Sequence, residues 1–215
     1  SGENNYYTGY EIGTIWGYVT DGYYTVDDFE DTNTWKLKEG VTSINGVNPR
    51  PGDVKYQNLK DDENSTNRID AGDGTLENPG DRKIIGNNRI RFQYGINLGV
   101  NYKGFDLNVL LQGVGKRDVW MSDARRWSFS SGQFGQIFDD QLDYWKPIDP
   151  ENGNWNPVNP DAEYFRIYNQ RENASSNTRA QTKYLLNGSY LRVKNITLSY
   201  TFPKTWMDTI HLNAL

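Results

Sequence analysis

The clearest pattern in the chain is a strict alternation of apolar and polar residues from Ile90 to Tyr102. Every even-numbered position is apolar, while the odd positions carry Arg, Gln, Asn or Gly. A period of two places successive side chains on opposite faces of a β-strand, and a helix cannot form one apolar face from it. The alternation resumes from Phe105 to Gln112 after Lys103-Gly104. The pattern therefore predicts a β-hairpin with a two-residue turn.

A second alternating stretch lies near the C-terminal end and changes parity along its length. Leu191 and Val193 are apolar at odd positions, whereas the apolar residues from Ile196 to Phe202 occupy even positions. One extra residue in a strand produces such a change, so the sequence predicts a β-bulge near Lys194-Asn195.

The stretch is followed by Pro203, which lacks the N–H group that a strand ladder needs. We expect a short turn from Pro203 to Asp208, and the alternation from Thr209 to Leu215 predicts a further strand. Because the chain ends within that strand, we expect it to be a fragment of a longer protein.

The connections between these elements are very unequal in length. We divide the chain into a strand and loop segment (1–24), a long extracellular loop (25–89), a β-hairpin (90–117), a second long extracellular loop (118–183) and a truncated C-terminal hairpin (184–215). The strands run to about 11–13 residues, against a usual five or six in soluble sheets and roughly 9–11 for a tilted membrane-crossing strand. Short turns on one side and long loops on the other are typical of outer-membrane barrels. The fold class predicted is all-β, with antiparallel strands that form part of a large outer-membrane β-barrel.

Composition narrows the possible functions. Hydrophobic residues make up 35% of the chain and aromatic residues 14%, and the formal net charge is −5. An acidic chain is a poor partner for nucleic acid. The chain contains no cysteine, which excludes disulfides and thiol chemistry, and His211 is its single histidine. A histidine-based triad or zinc site would need partners that the sequence does not supply.

Motifs along nearly the whole chain occur in a fixed order. They are Gly9–Gly22, Arg50–Tyr56, Asp81–Asn87, Tyr102–Leu107, Tyr144–Pro147 and Gly188–Pro203. The ordered set resembles the SusC/RagA family of TonB-linked outer-membrane proteins of Bacteroidetes, and the chain looks like a C-terminal barrel fragment of such a protein. The resemblance implies a parent with an N-terminal plug, a barrel of about 22 strands and localisation in the Gram-negative outer membrane.

The same resemblance implies a function and a set of partners. The parent would be a TonB-dependent transporter that imports glycan oligomers or peptides beneath a SusD-like lipoprotein lid, and it would contact TonB through an N-terminal region absent from these residues. This chain would supply barrel wall, in contact with membrane lipid, and part of the extracellular vestibule. No enzymatic activity, no catalytic residue and no resident cofactor are expected.

Aromatic residues crowd the second long loop and are the best candidates for contact with cargo or lid. We select Trp120, Trp127, Tyr144, Trp145, Trp155 and Tyr164. Aromatic rings offer large apolar faces with a polar edge, which suits sugar, peptide and protein surfaces. The alternative is that these rings form the small core of the loop itself or an interfacial girdle.

An acidic stretch in the first long loop is a candidate Ca²⁺ site. The family usually carries "D-L-N-G-D-G-x-I-D-x-x-D" here, but this chain has Asn58 at the first position and additional residues that break the spacing. A hard cation requires six to eight oxygen ligands. The candidates are Asp61, Asp62, Asp70, Asp73 and Asp81. The alternative is a solvated acidic loop with Asx-turns.

Two other classes of protein remain as alternatives. A soluble, surface-exposed, glycan-binding β-sandwich would also carry aromatic loops, but it needs more and shorter strands at 8–12-residue spacing. A glycosidase fragment would need a positioned carboxylate pair, and the adjacent Asp139 and Asp140 provide no evidence of one.

Overall fold

The computed structural model describes residues 9–44, 46–60, 68–122, 126–127, 137–167 and 174–209. The chain divides into two compact units. The loop unit comprises residues 1–88 and 119–186, and the sheet unit comprises residues 89–118 and 187–215. Among the described residues, no helix is long and apolar enough to cross a membrane.

Most regular structure in the described residues is β-strand. The strands are β1 (Thr14–Gly17), β2 (Thr20–Tyr23), β3 (Phe29–Asp31), β4 (Lys36–Leu37), β5 (Ser43–Ile44), β6 (Val54–Tyr56), β7 (Arg68–Ile69), β8 (Lys83–Asn87), β9 (Gln93–Tyr102), β10 (Phe105–Val114), β11 (Asp118–Val119), β12 (Pro147–Asp149), β13 (Asn154–Pro157), β14 (Leu186–Asn187) and β15 (Tyr190–Tyr200). In the part of the chain that the structure describes, helical structure is limited to α1 (Ala174–Asn177), α2 (Lys204–Thr209) and the 3-10 turns Val26–Asp28 and Asp139–Leu142. The all-β prediction is confirmed.

The sheet unit is built on a three-stranded antiparallel sheet in the order β15-β10-β9. The predicted turn joins β9 to β10, with φ of 47° at Lys103 and 86° at Gly104. Positive φ at both central residues defines a type I′ turn, whose twist matches that of the flanking strands. The pairing of β9 with β10 therefore follows from the alternation and the turn residues that the sequence displays.

Each face of this sheet has its own chemistry, because paired residues of adjacent strands project to the same side. Val109 pairs with Leu98 and with Ile196, so three aliphatic side chains meet on one face. Asn108 pairs with Gly99 and with Thr197 on the other face. The sheet thus has an apolar face and a mainly polar face, on which Leu110 and Val114 are the aliphatic residues of β10.

The predicted bulge is confirmed in β15. Leu110 pairs with Asn195, but the next residue, Leu111, pairs with Val193, so Lys194 has no opposite number on β10. This single extra residue returns Val193 to the apolar face that Ile196 occupies. The bulge therefore explains the parity change in the sequence.

The end of the sheet unit differs from the prediction. We expected a short turn from Pro203 to Asp208, and the structure instead forms helix α2 over Lys204–Thr209. The N–H groups of Trp206 and Met207 donate to the Pro203 carbonyl over 3.0 and 3.4 Å. Proline suits the start of a helix because its φ is already helical and no N–H is needed there. Of the strand expected from Thr209 to Leu215, Thr209 ends the helix and the remainder lies outside the described residues.

The loop unit is a set of small two-stranded sheets rather than long strands. The pairs are β1-β8, β2-β6, β3-β4, β5-β7 and β12-β13, and among them only β5-β7 is parallel. Residues from both long segments enclose one core, formed by Tyr18, Ile44, Val54, Tyr56, Ile69, Trp127, Tyr164, Phe165 and Tyr184. The two segments predicted as loops therefore fold together around shared apolar side chains.

Candidate functional site

The six aromatic residues selected from the sequence separate by burial in the loop unit. Trp127, Trp145 and Tyr164 are buried. Trp120 and Tyr144 are partly buried and pack against the core cluster. A side chain enclosed by its own unit has no free surface for a ligand, so the structure places three of the six in packing positions. Contact with cargo or lid stays a prediction for the others.

Trp155, the sixth, forms a half-buried pair with Trp35 from the first long segment. Their ring centroids lie 5.2 Å apart in a T-shaped arrangement, and Trp35 also meets Phe29 edge-on at 5.3 Å. Trp35 has a φ of 55°, a conformation that costs a bulky side chain about 1–3 kcal/mol. The ring contacts with Phe29 and Trp155 hold it there. The sequence analysis missed Trp35, which stands outside any alternating stretch.

A buried polar network joins the two long segments beside this core. Arg166 Nε donates to Asp53 Oδ1 over 2.9 Å, and Asn177 Nδ2 donates to the same oxygen over 3.3 Å. The Val54 N–H donates to Asn177 Oδ1 over 2.7 Å. A buried carboxylate is stable only with such partners. Asp53 and Asn177 are therefore positioning residues for the fold of the loop unit.

Tyr56 extends the network through its hydroxyl group. The hydroxyl donates to the Ser176 carbonyl over 2.6 Å and accepts from Gln181 Nε2 over 3.0 Å. Thr20 Oγ1 donates to Gln181 Oε1 over 3.0 Å. Burial raises the pKa of the Tyr56 phenol well above its usual value. The phenol therefore stays protonated near neutral pH, and its O–H group remains available as a hydrogen-bond donor.

The motif Arg50–Tyr56 explains part of this arrangement. Gly52 has a φ of 87°, and a Cβ at that position would collide with the Trp145 ring. Glycine therefore permits both the turn and the close approach of the indole. The sequence did show Asp53 as a carboxylate inside a motif that resembles the family, but its side-chain partners Arg166 and Asn177 lie more than a hundred positions away.

A pair of phenols, Tyr23 and Tyr184, lies at the same core. The hydroxyl groups of Tyr23 and Tyr184 are 3.1 Å apart, and the Phe165 N–H donates to Tyr184 Oη over 3.0 Å. Burial raises the pKa of both phenols. Lys183 Nζ lies 5.1 Å from the Tyr23 ring centroid and donates to the Ala162 carbonyl. These contacts are structural.

The acidic candidates mainly serve the backbone. Asp81 is fully buried, and its carboxylate accepts from the N–H groups of Leu59, Lys60 and Asp70. Asp73 Oδ1 accepts from the Thr75 N–H over 2.9 Å, an Asx-turn, and hydrogen bonds lower the pKa of this carboxyl.

Asp70 accepts from the Gly72 N–H in the same way. Asp61 and Asp62 lie outside the described residues. Within the described ranges, no group of three or more acidic, His or Cys side chains is placed to hold a metal ion. Cation binding by this loop therefore stays a prediction.

The polar face of the sheet unit forms a shallow concavity of about 560 Å³. Its lining includes Asn97, Asn101, Asp106, Asn108 and Thr197. Asn101 Nδ2 donates to Asp106 Oδ1 over 3.0 Å across the hairpin. Leu110 is an aliphatic side chain among these polar residues, and the surface of amides, hydroxyls and one carboxylate around it suits water or a polar solute. It contrasts with the apolar face, on which Leu198 is 68% exposed.

Two curated proteins that are similar to this chain are both named TonB-dependent receptors. No protein-family model matches the chain. TonB-dependent receptor P3 of Formosa agariphila is 26% identical over 207 residues, which is 96% of this chain and 17% of that protein. TonB-dependent receptor P26 of the same organism is 26% identical over 180 residues, which is 82% of this chain and 16% of that protein.

These similarities confirm the recognition made from the motifs. The chain is similar to segments of TonB-dependent receptors, and it spans about one sixth of the length of the curated relatives it matches. Both relatives are named as receptors, in agreement with the expectation that the chain is not an enzyme.

Proposed function

We propose that this chain forms part of the wall and of the outer vestibule of a TonB-dependent transporter in the outer membrane. The observation that carries the proposal is the sheet unit, with exposed aliphatic side chains on one face and amides and hydroxyls on the other. Water disfavours a continuous exposed apolar face, whereas lipid accommodates it. The similarity to two TonB-dependent receptors supports the same conclusion.

The dimensions of the apolar face support a membrane span. Exposed aromatic residues occupy its two ends, with Phe92 at one and Tyr102 at the other. The Gly115 N–H donates to the Phe92 carbonyl over 2.9 Å, so strand pairing continues to that residue. Ten residues extend about 33 Å along a strand, or about 25 Å across the bilayer at a tilt near 40°, which is the height of the apolar band in outer-membrane barrels.

We further propose that the loop unit is extracellular and contributes to the capture of cargo, either glycan oligomers or peptides, beneath a SusD-like lipoprotein. The resemblance of the motifs to the SusC/RagA family supports this assignment. The pair of Trp35 and Trp155 and the partly buried Trp120 and Tyr144 are candidate aromatic surfaces for such contacts. Contact with TonB would be made by parts of the protein outside these residues.

Membrane fractionation of the full-length gene product tests the proposal. The protein is expected in the outer-membrane fraction, resistant to carbonate or salt extraction and released by detergent. A protease added to intact cells is expected to cleave a site inserted into the exposed β12-β13 turn at Gly153, and to leave one inserted between Lys103 and Gly104 intact. Recovery of the protein from the periplasm or the medium would contradict the proposal.

The alternative is a soluble glycan-binding β-sandwich. In a sandwich, the apolar face of one sheet is covered by a second sheet. The exposure of Leu98, Leu198 and Ile196 favours the membrane wall over this alternative. The same fractionation distinguishes the two, because a sandwich module would remain soluble without detergent.

A further inference from the structure

Helix α2 carries an exposed tryptophan at the end of the sheet where the type I′ turn lies. The Trp206 side chain is 59% exposed, and Phe202, just before the helix, is also exposed. The Thr201 N–H donates to the Gly104 carbonyl over 2.7 Å, which fixes the chain beside the turn as it leaves β15. A helix of six residues gives no structural reason for a large apolar side chain to face the solvent.

A continuous series of ring contacts connects this indole to the apolar face. Phe105 and Tyr200 are cross-strand partners with ring centroids 4.4 Å apart. Tyr200 contacts Phe202 at 5.1 Å, and Phe202 contacts Trp206 at 6.4 Å. The aliphatic band of the sheet therefore ends in aromatic rings that extend into α2.

The charged groups at this end fit a membrane–water boundary. Lys103 lies in the turn with its Nζ 5.2 Å from the Tyr102 ring centroid, and Lys204 begins the helix and is exposed. Asp208 is the acidic residue of the helix. Tryptophan and tyrosine favour the headgroup level of a bilayer, and lysine amines reach toward lipid phosphates from below it.

We propose that α2 is an interfacial anchor, with the Trp206 indole at the lipid headgroup level on the short-turn side of the membrane. The inference rests on the proposed membrane wall and adds to it a side, a depth and a residue. The partner of this aromatic surface is lipid. Aromatic rings at one level, flanked by lysine amines, match the interface of a bilayer, where an apolar hydrocarbon layer meets a phosphate-rich headgroup layer. A second protein would not require the rings to continue the edge of the aliphatic band.

Site-directed spin labelling of the full-length gene product in lipid vesicles measures the depth of α2. Single cysteines are introduced into a cysteine-free background as Trp206→Cys, Leu98→Cys and Asp106→Cys. Leu98 lies mid-band on the apolar face and Asp106 lies on the polar face, so they are matched lipid and water controls. Accessibility to oxygen, which prefers lipid, and to a water-soluble nickel reagent gives the depth of each label.

The label at Trp206→Cys is expected within about 5 Å of the phosphate level, and that at Leu98→Cys about 10 Å deeper, given a hydrocarbon half-thickness of about 15 Å. A Trp206→Cys label as accessible to nickel as Asp106→Cys, or as deep as Leu98→Cys, would overturn the inference and leave the membrane wall intact. A water-exposed Leu98→Cys would overturn both. Heat-dependent gel mobility of each variant verifies that the labelled protein is folded.

A tryptophan substitution series provides a second, independent readout. Trp206→Tyr keeps an interfacial ring, whereas Trp206→Ala removes it. The amount of indole fluorescence that is quenched by lipids brominated near the headgroup is expected to fall in both variants relative to the unsubstituted protein. The amount quenched by lipids brominated at the chain ends is expected to stay unchanged. Equal loss with both lipids would contradict a headgroup position.

Discussion

The two units of this chain treat apolar side chains in opposite ways. In the loop unit Phe165 is fully buried, and its ring contacts those of Trp127 and Tyr184. In the sheet unit the aliphatic side chains of β9 and β15 are exposed, and so are Leu107 and Leu110 on β10. The placement of apolar side chains in each unit fits a different solvent. The loop unit buries them as a water-soluble domain does, and the sheet unit exposes them as a surface suited to lipid does. Within a single chain, the pattern of apolar residues therefore has to be interpreted separately for each unit, according to the solvent that surrounds it.

The largest expected effect tests the water-type core. Phe165→Ala removes a fully buried ring from the loop unit and is expected to destabilise it by about 3–5 kcal/mol. Hydrogen–deuterium exchange of the full-length gene product in detergent measures the local free energy of unfolding. Phe138→Ala, at an exposed phenylalanine of the same unit, is the control and should change it little. Equal effects would mean that the cluster is not a core.

The next effect tests the lipid-type face with adjacent residues. Ile196→Arg places a charge on the apolar face, and Thr197→Arg places the same charge on the polar face. Arginine facing the bilayer midplane costs about 2–4 kcal/mol, so the first variant should fold less stably in vesicles and the second should not. Urea titration of folding into lipid vesicles measures the difference. Equal stability of the two variants would argue that neither face meets lipid.

A smaller effect is expected from the polar network of the loop unit. Tyr56→Phe keeps the ring but leaves the Ser176 carbonyl and the Gln181 amide without their shared hydroxyl. An unsatisfied buried group costs about 1–3 kcal/mol. Exchange rates of the amides in β6 and α1 should rise, while those in β9 and β10 stay unchanged. A change in the sheet unit instead would show that the two units do not unfold separately.

The smallest effect at neutral pH concerns the buried phenols. Burial raises the pKa of Tyr56, Tyr23 and Tyr184 above the unfolded value of about 10. Because the folded state holds these protons more tightly, this stability is fully present below about pH 10 and is lost as the pH rises toward the folded-state pKa. Near-UV circular dichroism should stay constant from pH 6 to 9 and fall only above about pH 10. A transition near pH 7 would contradict the assignment.

The long strands were predictable because they repeat one local rule. The alternation from Ile90, the turn at Lys103-Gly104 and the parity change at Lys194 each specify structure from neighbouring residues. Helix α2 was missed because six residues after Pro203 are too few to display a helical period.

The core of the loop unit was missed for a different reason. Its strands are two to five residues long, and its decisive contacts, such as Val54 with Asn177, join distant parts of the chain. The abundance of aromatic residues in a segment indicates that their rings will contact one another, but it does not show which of the rings will be buried. Trp127 and Trp155 are alike in the sequence, and only the packing separates them.

At Lys194, strand β15 can tolerate a change in its length. Elsewhere in β15, a gain or loss of one residue would turn every side chain beyond it to the wrong face, with leucines toward water and asparagines toward the opposite side. At the bulge the surplus residue is already outside the ladder, so the two halves of the strand keep their facing independently. The strand can change its length there by one residue over evolutionary time without changing which surface it presents.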